Sequence, residues 1–418
     1  RLPCARCLIG RRIWMGIYGQ GAGLRSTLPC LRYDGIDTMC ISSVAGRQAF
    51  MQKYRNQIIL GLGIVLAIYI GVLVFFDTSG QFDGNIGEAL AEFPLWLIPI
   101  LCLTQVSAGF FRWLEWHYFL GVIDARDKIS IKDSVIIFVA SFTMVVSPGK
   151  VAEVLKSVLL KIRTGVPVAR SAPIVVAERV VDGLAVVVTL FLTLLLAGDR
   201  INLGDYRDIS TGIIFTAAGL LFGGLIVVQI RPLAYFCLGI VANLPLIKRL
   251  HEPLVEFYES SYEIFKLRHI IPTTILGMGV YMSSTTGFVL VLWGFGLEIT
   301  WDLFLQATFI VGVASAIGAL SFVPNGAGVT EVSNAAMLTV IVAPAHPAFT
   351  PAMVGAAALM QGFFHKWFRV LVGMGVAVIY RKRLFTPEFD AEIREMDAAA
   401  KSAQGVDAPV QTVPSNTT

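Results

Sequence analysis

Three short constellations in this sequence could hold or move charged groups. The first is Ser147-Pro148-Gly149-Lys150-Val151-Ala152-Glu153, with Lys156 three residues further on, directly after an apolar run over 135–146. The second is Glu178-Arg179-Val180-Val181-Asp182, set inside an apolar stretch over 172–197. The third is Val323-Pro324-Asn325-Gly326-Ala327-Gly328-Val329-Thr330-Glu331, after the apolar run 304–322. A helix starting near Gly149 would present free N–H groups and the positive end of its dipole to an anion. Gly149 permits close backbone approach and Lys150 or Lys156 adds positive charge, so a phosphate group is the natural occupant. Gly326, Gly328 and Glu331 offer the same roles at the second break, without a lysine. Glu178 and Asp182 are four residues apart and share a helix face, while Arg179 and Asp182, three apart, can also meet. Either a structural ion pair or a functional site would require those charges to be paired, and the spacing leaves both readings open. Lys366 and Arg369 fall near the middle of the last apolar stretch, too deep for easy snorkelling. Arg112 closes the second stretch, where snorkelling to the interface competes with a site role. His365 reads as a packing residue.

The elements that must position these groups are membrane helices. The chain has 418 residues, of which 56% are hydrophobic and only 15% charged, and its mean hydropathy is +0.72. Soluble domains carry about 25% charged residues, so this is an integral membrane protein. About 20 apolar residues are needed to cross the hydrocarbon, and the stretches 57–76, 93–111, 172–197, 212–230, 270–295 and 352–380 qualify. The two Pro/Gly-broken segments lie between them, with halves mostly too short to cross alone. Backbone that leaves a helix at membrane depth survives only where protein buries it or where it lines a wet cavity. A pair of such breaks, one in each half, points to an inverted-repeat carrier with its site between them. The expected fold is therefore all-α: a polytopic helix bundle of about six full spans and two re-entrant hairpins in an inverted repeat.

Lys and Arg mark the cytoplasmic side. Lys53 and Arg55 put the N-terminal end of the first span inside, and the loop 77–92, with Asp77, Asp83, Glu88 and Glu92, lies outside. Basic residues flank the run 135–146 on both sides, so the first hairpin dips in from the cytoplasm and turns at Pro148-Gly149. Loops 198–211 and 296–302 lie outside, the basic segment 231–269 inside, and Arg381-Lys382-Arg383 puts the C-terminus inside. This parity requires the second hairpin to enter from the outside. Residues 248–269 alternate acidic and apolar positions as an amphipathic helix on the cytoplasmic surface or the bundle.

The expected domain organisation is a disordered leader or over-extended gene start over 1–50, a transmembrane domain over 51–383 and a disordered cytoplasmic tail over 384–418. The first segment starts at Arg1, is rich in Arg and Gly, and contains Cys4, Cys7, Cys30 and Cys40 of the six cysteines. Cys4 and Cys7 have the spacing of half a zinc site, but no second ligand pair follows. No nucleotide loop, zinc-protease pair or serine-hydrolase elbow occurs, so neither a cofactor, a metal nor nucleic acid is expected, and no catalytic domain is recognisable.

In order, Pro148-Gly149, Glu153 and Lys156, then Glu178, Arg179 and Asp182, then Pro324, Gly326, Gly328 and Glu331 resemble the lysylphosphatidylglycerol synthase transmembrane region, a flippase-like family. The resemblance covers about residues 55–380. It implies a multi-pass protein of a bacterial inner membrane that handles lipids with anionic or aminoacylated head groups, or isoprenoid-type lipids. Two departures stand out: that family usually has Arg where Lys156 stands, and often Gly-Gly near Asn325-Gly326. Full synthases carry a soluble transferase domain after the membrane part, whereas about 35 residues follow Arg383 here, so translocation rather than synthesis is implied. The resulting expectation is a lipid translocase or lipid-binding carrier for phosphate-containing head groups. Its partners would be membrane lipids, with a neighbouring lipid-modifying enzyme as a further candidate. The alternative is a membrane enzyme subunit or scaffold acting on lipid-linked sugars or isoprenoid lipids. The lipid-binding set is Arg112, Pro148, Gly149, Glu153, Lys156, Glu178, Arg179, Asp182, Pro324, Gly326, Gly328, Glu331, Lys366 and Arg369.

Overall fold

Long apolar runs without β-branched alternation leave the helix as the only way to pair every backbone group in hydrocarbon, and the computed structural model is helical throughout. It describes residues 67, 70–71, 74, 86–143, 151–197, 206–243, 251–321, 323, 326–384, 386–389 and 391–392, among which there is no strand. The helices are α1 (Ile86–Glu92), α2 (Ile98–Val122), α3 (Ile131–Ser141), α4 (Val151–Thr164), α5 (Val168–Ala197), α6 (Tyr206–Gln229), α7 (Arg231–Asn243), α8 (His251–Ile264), α9 (Leu267–Gly294), α10 (Trp301–Leu320), α11 (Val329–Met337), α12 (Pro351–Gly362), α13 (Arg369–Ile379) and α14 (Arg381–Leu384). Two π-helical turns, Leu338–Val342 and Phe363–Phe368, extend α11 and join α12 to α13.

Among the described residues, five stretches are long and apolar enough to cross a bilayer: Leu95–Val122, Val168–Ala197, Leu267–Gly294, Trp301–Leu320 and Pro351–Ile379. Two differ from the sequence expectation. The second stretch does not stop at residue 111 but runs to Val122, which moves Arg112 from a boundary to the helix interior. The run before the second break forms α10, 20 residues long, which at 1.5 Å per residue reaches the ~30 Å of the hydrocarbon by itself. By contrast α3 and α4 have 11 and 14 residues, or ~16 and ~21 Å, too short to cross. Most of the expected span 57–76 lies outside the described residues, as do the segment 1–50 with its cysteines, the Pro148-Gly149 turn, Pro324 and the side chain of Glu153.

Helix α2 runs antiparallel to α9. Ser107 Oγ lies 3.2 Å from Ser283 Oγ, and Tyr118 Oη 3.0 Å from His269 Nδ1. Between them Gly287 sits flush on Thr104, where a Cβ would come within 2.7 Å of Oγ1. Helix α5 crosses α9 at Gly277, beside Val181 and Ala185. The buried Tyr281 of α9 donates to the Thr308 carbonyl of α10 at 2.6 Å. Leu101, Phe288, Leu292, Phe309 and Leu338 form the centre of the apolar core. Leu103, Phe110, Leu195, Phe215 and Leu220 are large, apolar and exposed, as befits helix faces against acyl chains.

The amphipathic segment forms α8, with Ile264 fully buried and Ser261 nearly so, packed on the bundle. After Leu384 the chain continues in helical turns at 387–389 and 391–392. Phe389 is buried and Glu392 pairs with Lys161 at 2.5 Å. The stretch read from sequence as a tail thus has a docked beginning.

Candidate functional site

Helix α2 carries Gln105, Ala108, Glu115 and Phe119 on one fully buried face, with Arg112 between them. That spacing of three and four is the inward face of a helix, so its two ionisable groups point at the bundle. Arg112 meets Asp182 of α5 with both prongs of its fork, Nη1 to Oδ2 at 2.9 Å and Nη2 to Oδ1 at 2.8 Å. A bidentate guanidinium–carboxylate pair is the strong form of such a contact. Among the described residues the buried Nε–H of Arg112 has no acceptor. Arg179, one helical turn before Asp182, reaches the same carboxylate at 3.2 Å, and its side chain is 57% exposed.

Arg369 enters from α13. Its guanidinium donates to the His365 carbonyl of its own helix, Nε to O at 2.8 Å, and lies within electrostatic reach of Arg112, Arg179 and Asp182. It makes no ion pair among the described residues. Two guanidiniums therefore bond one carboxylate, with the third, that of Arg369, within electrostatic reach of it. The π-helical turn Phe363–Phe368 immediately precedes Arg369, and such turns re-aim the residues that follow them.

Glu178, one turn from Asp182, does not join that group. It takes the Nζ of Lys156 at 2.6 Å, and the two side chains are only 6% and 5% exposed. The Lys156 ammonium also stands 3.8 Å from the centroid of Trp116 and 4.7 Å from that of Phe138, an aromatic cradle worth up to ~2 kcal/mol when desolvated. Lys156, expected to grip a head group, is thus turned into the protein. Beside both pairs lies Glu115, wholly buried, with neither carboxyl oxygen hydrogen-bonded among the described residues.

The second break closes on itself. Gly326 and Gly328 have φ of 59° and 80°, a region L-residues with side chains avoid. Glu331 Oε2 accepts the Gly328 N–H at 2.8 Å and the Thr330 hydroxyl at 3.0 Å, capping the start of α11. Lys366 then ties the loop to the last span. Its Nζ reaches Glu331 Oε1 at 3.1 Å and the Gly326 carbonyl at 3.1 Å, and it also donates to Thr330. Gly362 makes room for this, since a Cβ there would lie 2.2 Å from Glu331 Oε1. The Gly328 N–H, one of those foreseen for an anion, is here satisfied by a glutamate of the same helix.

The structure brings Arg112, Arg179, Asp182 and Arg369 into one centre, Lys156 and Glu178 into a second beside it, and Gly326, Gly328, Glu331 and Lys366 into a third. Glu115 and Trp116 were missed by sequence reasoning, which ended the helix at residue 111. The signal available was the polar spacing 105, 112, 115 continuing past that point.

The family described as lysylphosphatidylglycerol synthase TM region matches residues 58–373, and the chain belongs to it. No curated protein and no solved structure matches.

Proposed function

We propose that this membrane protein is a translocase or carrier for lipids with phosphate-containing head groups, and that Arg112, Arg179 and Arg369 form its head-group site. The observation that carries the reading is a pair of guanidiniums with donors to spare beside Asp182: among the described residues the Nε–H of Arg112 has no acceptor and Arg369 makes no ion pair. Ionisable groups at this depth are costly and mark substrate paths. A phosphate offers several oxygens to planar forks, and it would take Arg369 directly and Arg112 in exchange for Asp182. The pair that gives way is the one with access, since the Asp182 side chain is 23% exposed.

The two broken segments supply the moving parts. The short α3 and α4 support a re-entrant hairpin entering from the cytoplasm, with Pro148, Gly149 and Glu153 at or after its tip. The Gly326 and Gly328 turn is its counterpart, reached from the other side through α10, which is long enough to cross by itself, and the two halves rock around the arginines. Lys156–Glu178 and Lys366–Glu331 brace these hairpins against the spans. Both termini lie in the cytoplasm of a bacterial inner membrane.

The test is transport of fluorescent lipids between the leaflets of liposomes containing the purified protein. Phosphatidylglycerol should move faster than in empty liposomes, and a neutral glycolipid without phosphate should not. One charge-assisted contact is worth about 1.5–3 kcal/mol, so Arg369→Gln should weaken phosphatidylglycerol binding roughly tenfold to a hundredfold without loss of folded protein. Equal transport of both lipids, or an Arg369→Gln variant that binds and moves phosphatidylglycerol like the parent, would refute the assignment.

A further inference from the structure

We propose that Glu115 is a proton-binding site coupled to the head-group site, so that the protein takes up a proton together with an anionic lipid. The inference rests on the reading of the arginine centre given above. Glu115 is wholly buried and neither of its oxygens has a hydrogen-bond donor. The charged groups around it are Arg112 on its own helix, Lys156 on α4, and Glu178 and Asp182 on α5. Both cations are committed, Arg112 to Asp182 through two bonds and Lys156 to Glu178 at 2.6 Å. The π-helical turn packed against α2 adds His365 and Lys366, and Lys366 is held by Glu331. Among the described residues of this group, Glu115 is therefore the carboxyl without a cation bonded to it. Arg179 and Arg369 complete the set around Asp182, which gives four cations against three carboxylates when Glu115 is ionised and against two when it carries a proton. The ionised form repels an incoming phosphate and the protonated form does not.

The exchange balances without any other reactant. As phosphate arrives and Arg112 leaves Asp182, the Glu115 carboxylate accepts H⁺ from water; as phosphate departs, the acid returns it. Because binding couplings are reciprocal, a proton that favours the lipid is also favoured by the lipid. Further polar atoms lie along the same helix face. Gln105 Oε1 on α2 and the hydroxyls of Ser284 and Thr285 on the facing stretch of α9 are buried without protein partners. Polar atoms of that kind are where ordered water sits. Gln105 is ten residues from Glu115, ~15 Å along the helix, toward the end of α2 that the charge count puts outside.

The test measures phosphatidylglycerol affinity of the full-length protein in detergent from pH 5.5 to 8.5. Two unit charges ~8–12 Å apart at an effective dielectric of ~20 repel enough to change an affinity roughly tenfold to thirtyfold. Wild-type affinity should fall by that factor as the pH rises. Glu115→Gln, a neutral mimic of the acid, should bind tightly and without slope, whereas Arg369→Gln should bind weakly with the slope retained. A second measurement needs no variant: adding phosphatidylglycerol to wild-type protein in weak buffer should remove protons from solution, followed by an indicator dye. A Glu115→Gln profile with the wild-type slope, or lipid binding with no proton uptake at any pH in the range, overturns the proposal and leaves the lipid reading standing. Wild-type protein that prefers phosphatidylglycerol over a neutral glycolipid at no pH overturns the lipid reading itself.

Discussion

Replacing Lys156 by methionine separates bracing from binding. The substitution keeps most of the side-chain volume and removes the ammonium from a position where it is 5% exposed and 2.6 Å from Glu178. Glu178 would then be a carboxylate in hydrocarbon with its partner gone, and breaking a buried pair from one side costs about 3–5 kcal/mol. The lost contact with Trp116 adds up to ~2 kcal/mol, which burial of the methionine side chain, worth ~1.5–3 kcal/mol, offsets. A net loss of ~3–5 kcal/mol remains, a large fraction of the ~5–15 kcal/mol of a typical fold. The double variant Lys156→Met with Glu178→Gln strands neither charge and should recover to within ~1–2 kcal/mol of the parent, because neutral replacement of a buried pair is nearly free. The assay is a double-mutant cycle on unfolding midpoints of the detergent-solubilised protein, with phosphatidylglycerol affinity measured on the folded fraction. Additive losses in the double variant would refute the pairing. A Lys156→Met protein as stable as the parent but unable to bind lipid would return Lys156 to the head group.

Two further outcomes follow from the geometry. Gly362→Ala places a Cβ 2.2 Å from Glu331 Oε1, so Glu331 must shift off Lys366; overpacking of this kind costs ~1–3 kcal/mol, whereas Gly375→Ala, with nothing within 4 Å, should leave the melting midpoint at or slightly above that of the parent. Asp133, at the start of α3, is raised by partial burial but held below its usual value overall by hydrogen bonds from Arg383 and Ser130, with Arg383 Nε 2.7 Å from Oδ1. A depressed folded-state value means the contact stabilises above the unfolded carboxyl pKa of ~3.9 and is lost as the pH falls through the lower value. Wild type should therefore be more stable than Asp133→Asn at pH 7, by no more than the ~1 kcal/mol of a surface bridge, and the gap should narrow as the pH falls below ~3.9 and close once it passes the lowered folded-state value.

The helical fold was legible because hydrocarbon leaves so few ways to pair a backbone. Hydropathy placed the stretches that became α2, α5, α9 and the α12–α13 unit, and the Gly326/Gly328 break. It failed where a charge was taken for a boundary. Arg112 looked like the end of a helix because an unpaired arginine belongs at the interface, but its partner, Asp182, is supplied by α5, 70 residues away in sequence. Once that pair forms, the helix can carry on to Val122 and bury Glu115 and Trp116. A single sequence reports that a charge is present at some depth; it does not report what neutralises it. The apolar run 304–322 was legible too, but the Pro/Gly break after it made it read as half of a hairpin rather than as the full-length helix α10.

The division of labour between the two acids of α5 depends on that missing partner information. Glu178 and Asp182 sit four residues apart on one helix, and spacing alone gives them equal claims to a site. Their neighbours separate them. Glu178 faces α4, whose lysine arrives already cradled by Trp116 and Phe138, so ion, partner and aromatic walls form a closed unit. Asp182 faces α2 and α13, where guanidiniums outnumber it. A closed pair gains nothing by opening to a ligand, since both ions would be stranded in a medium that solvates neither. An anion that enters the arginine centre strands no guanidinium, and the carboxylate it displaces keeps Arg179 within reach. On the proposed reading, one turn of helix α5 therefore holds a brace and an exchange site, and the identity of the cation opposite each acid decides which is which.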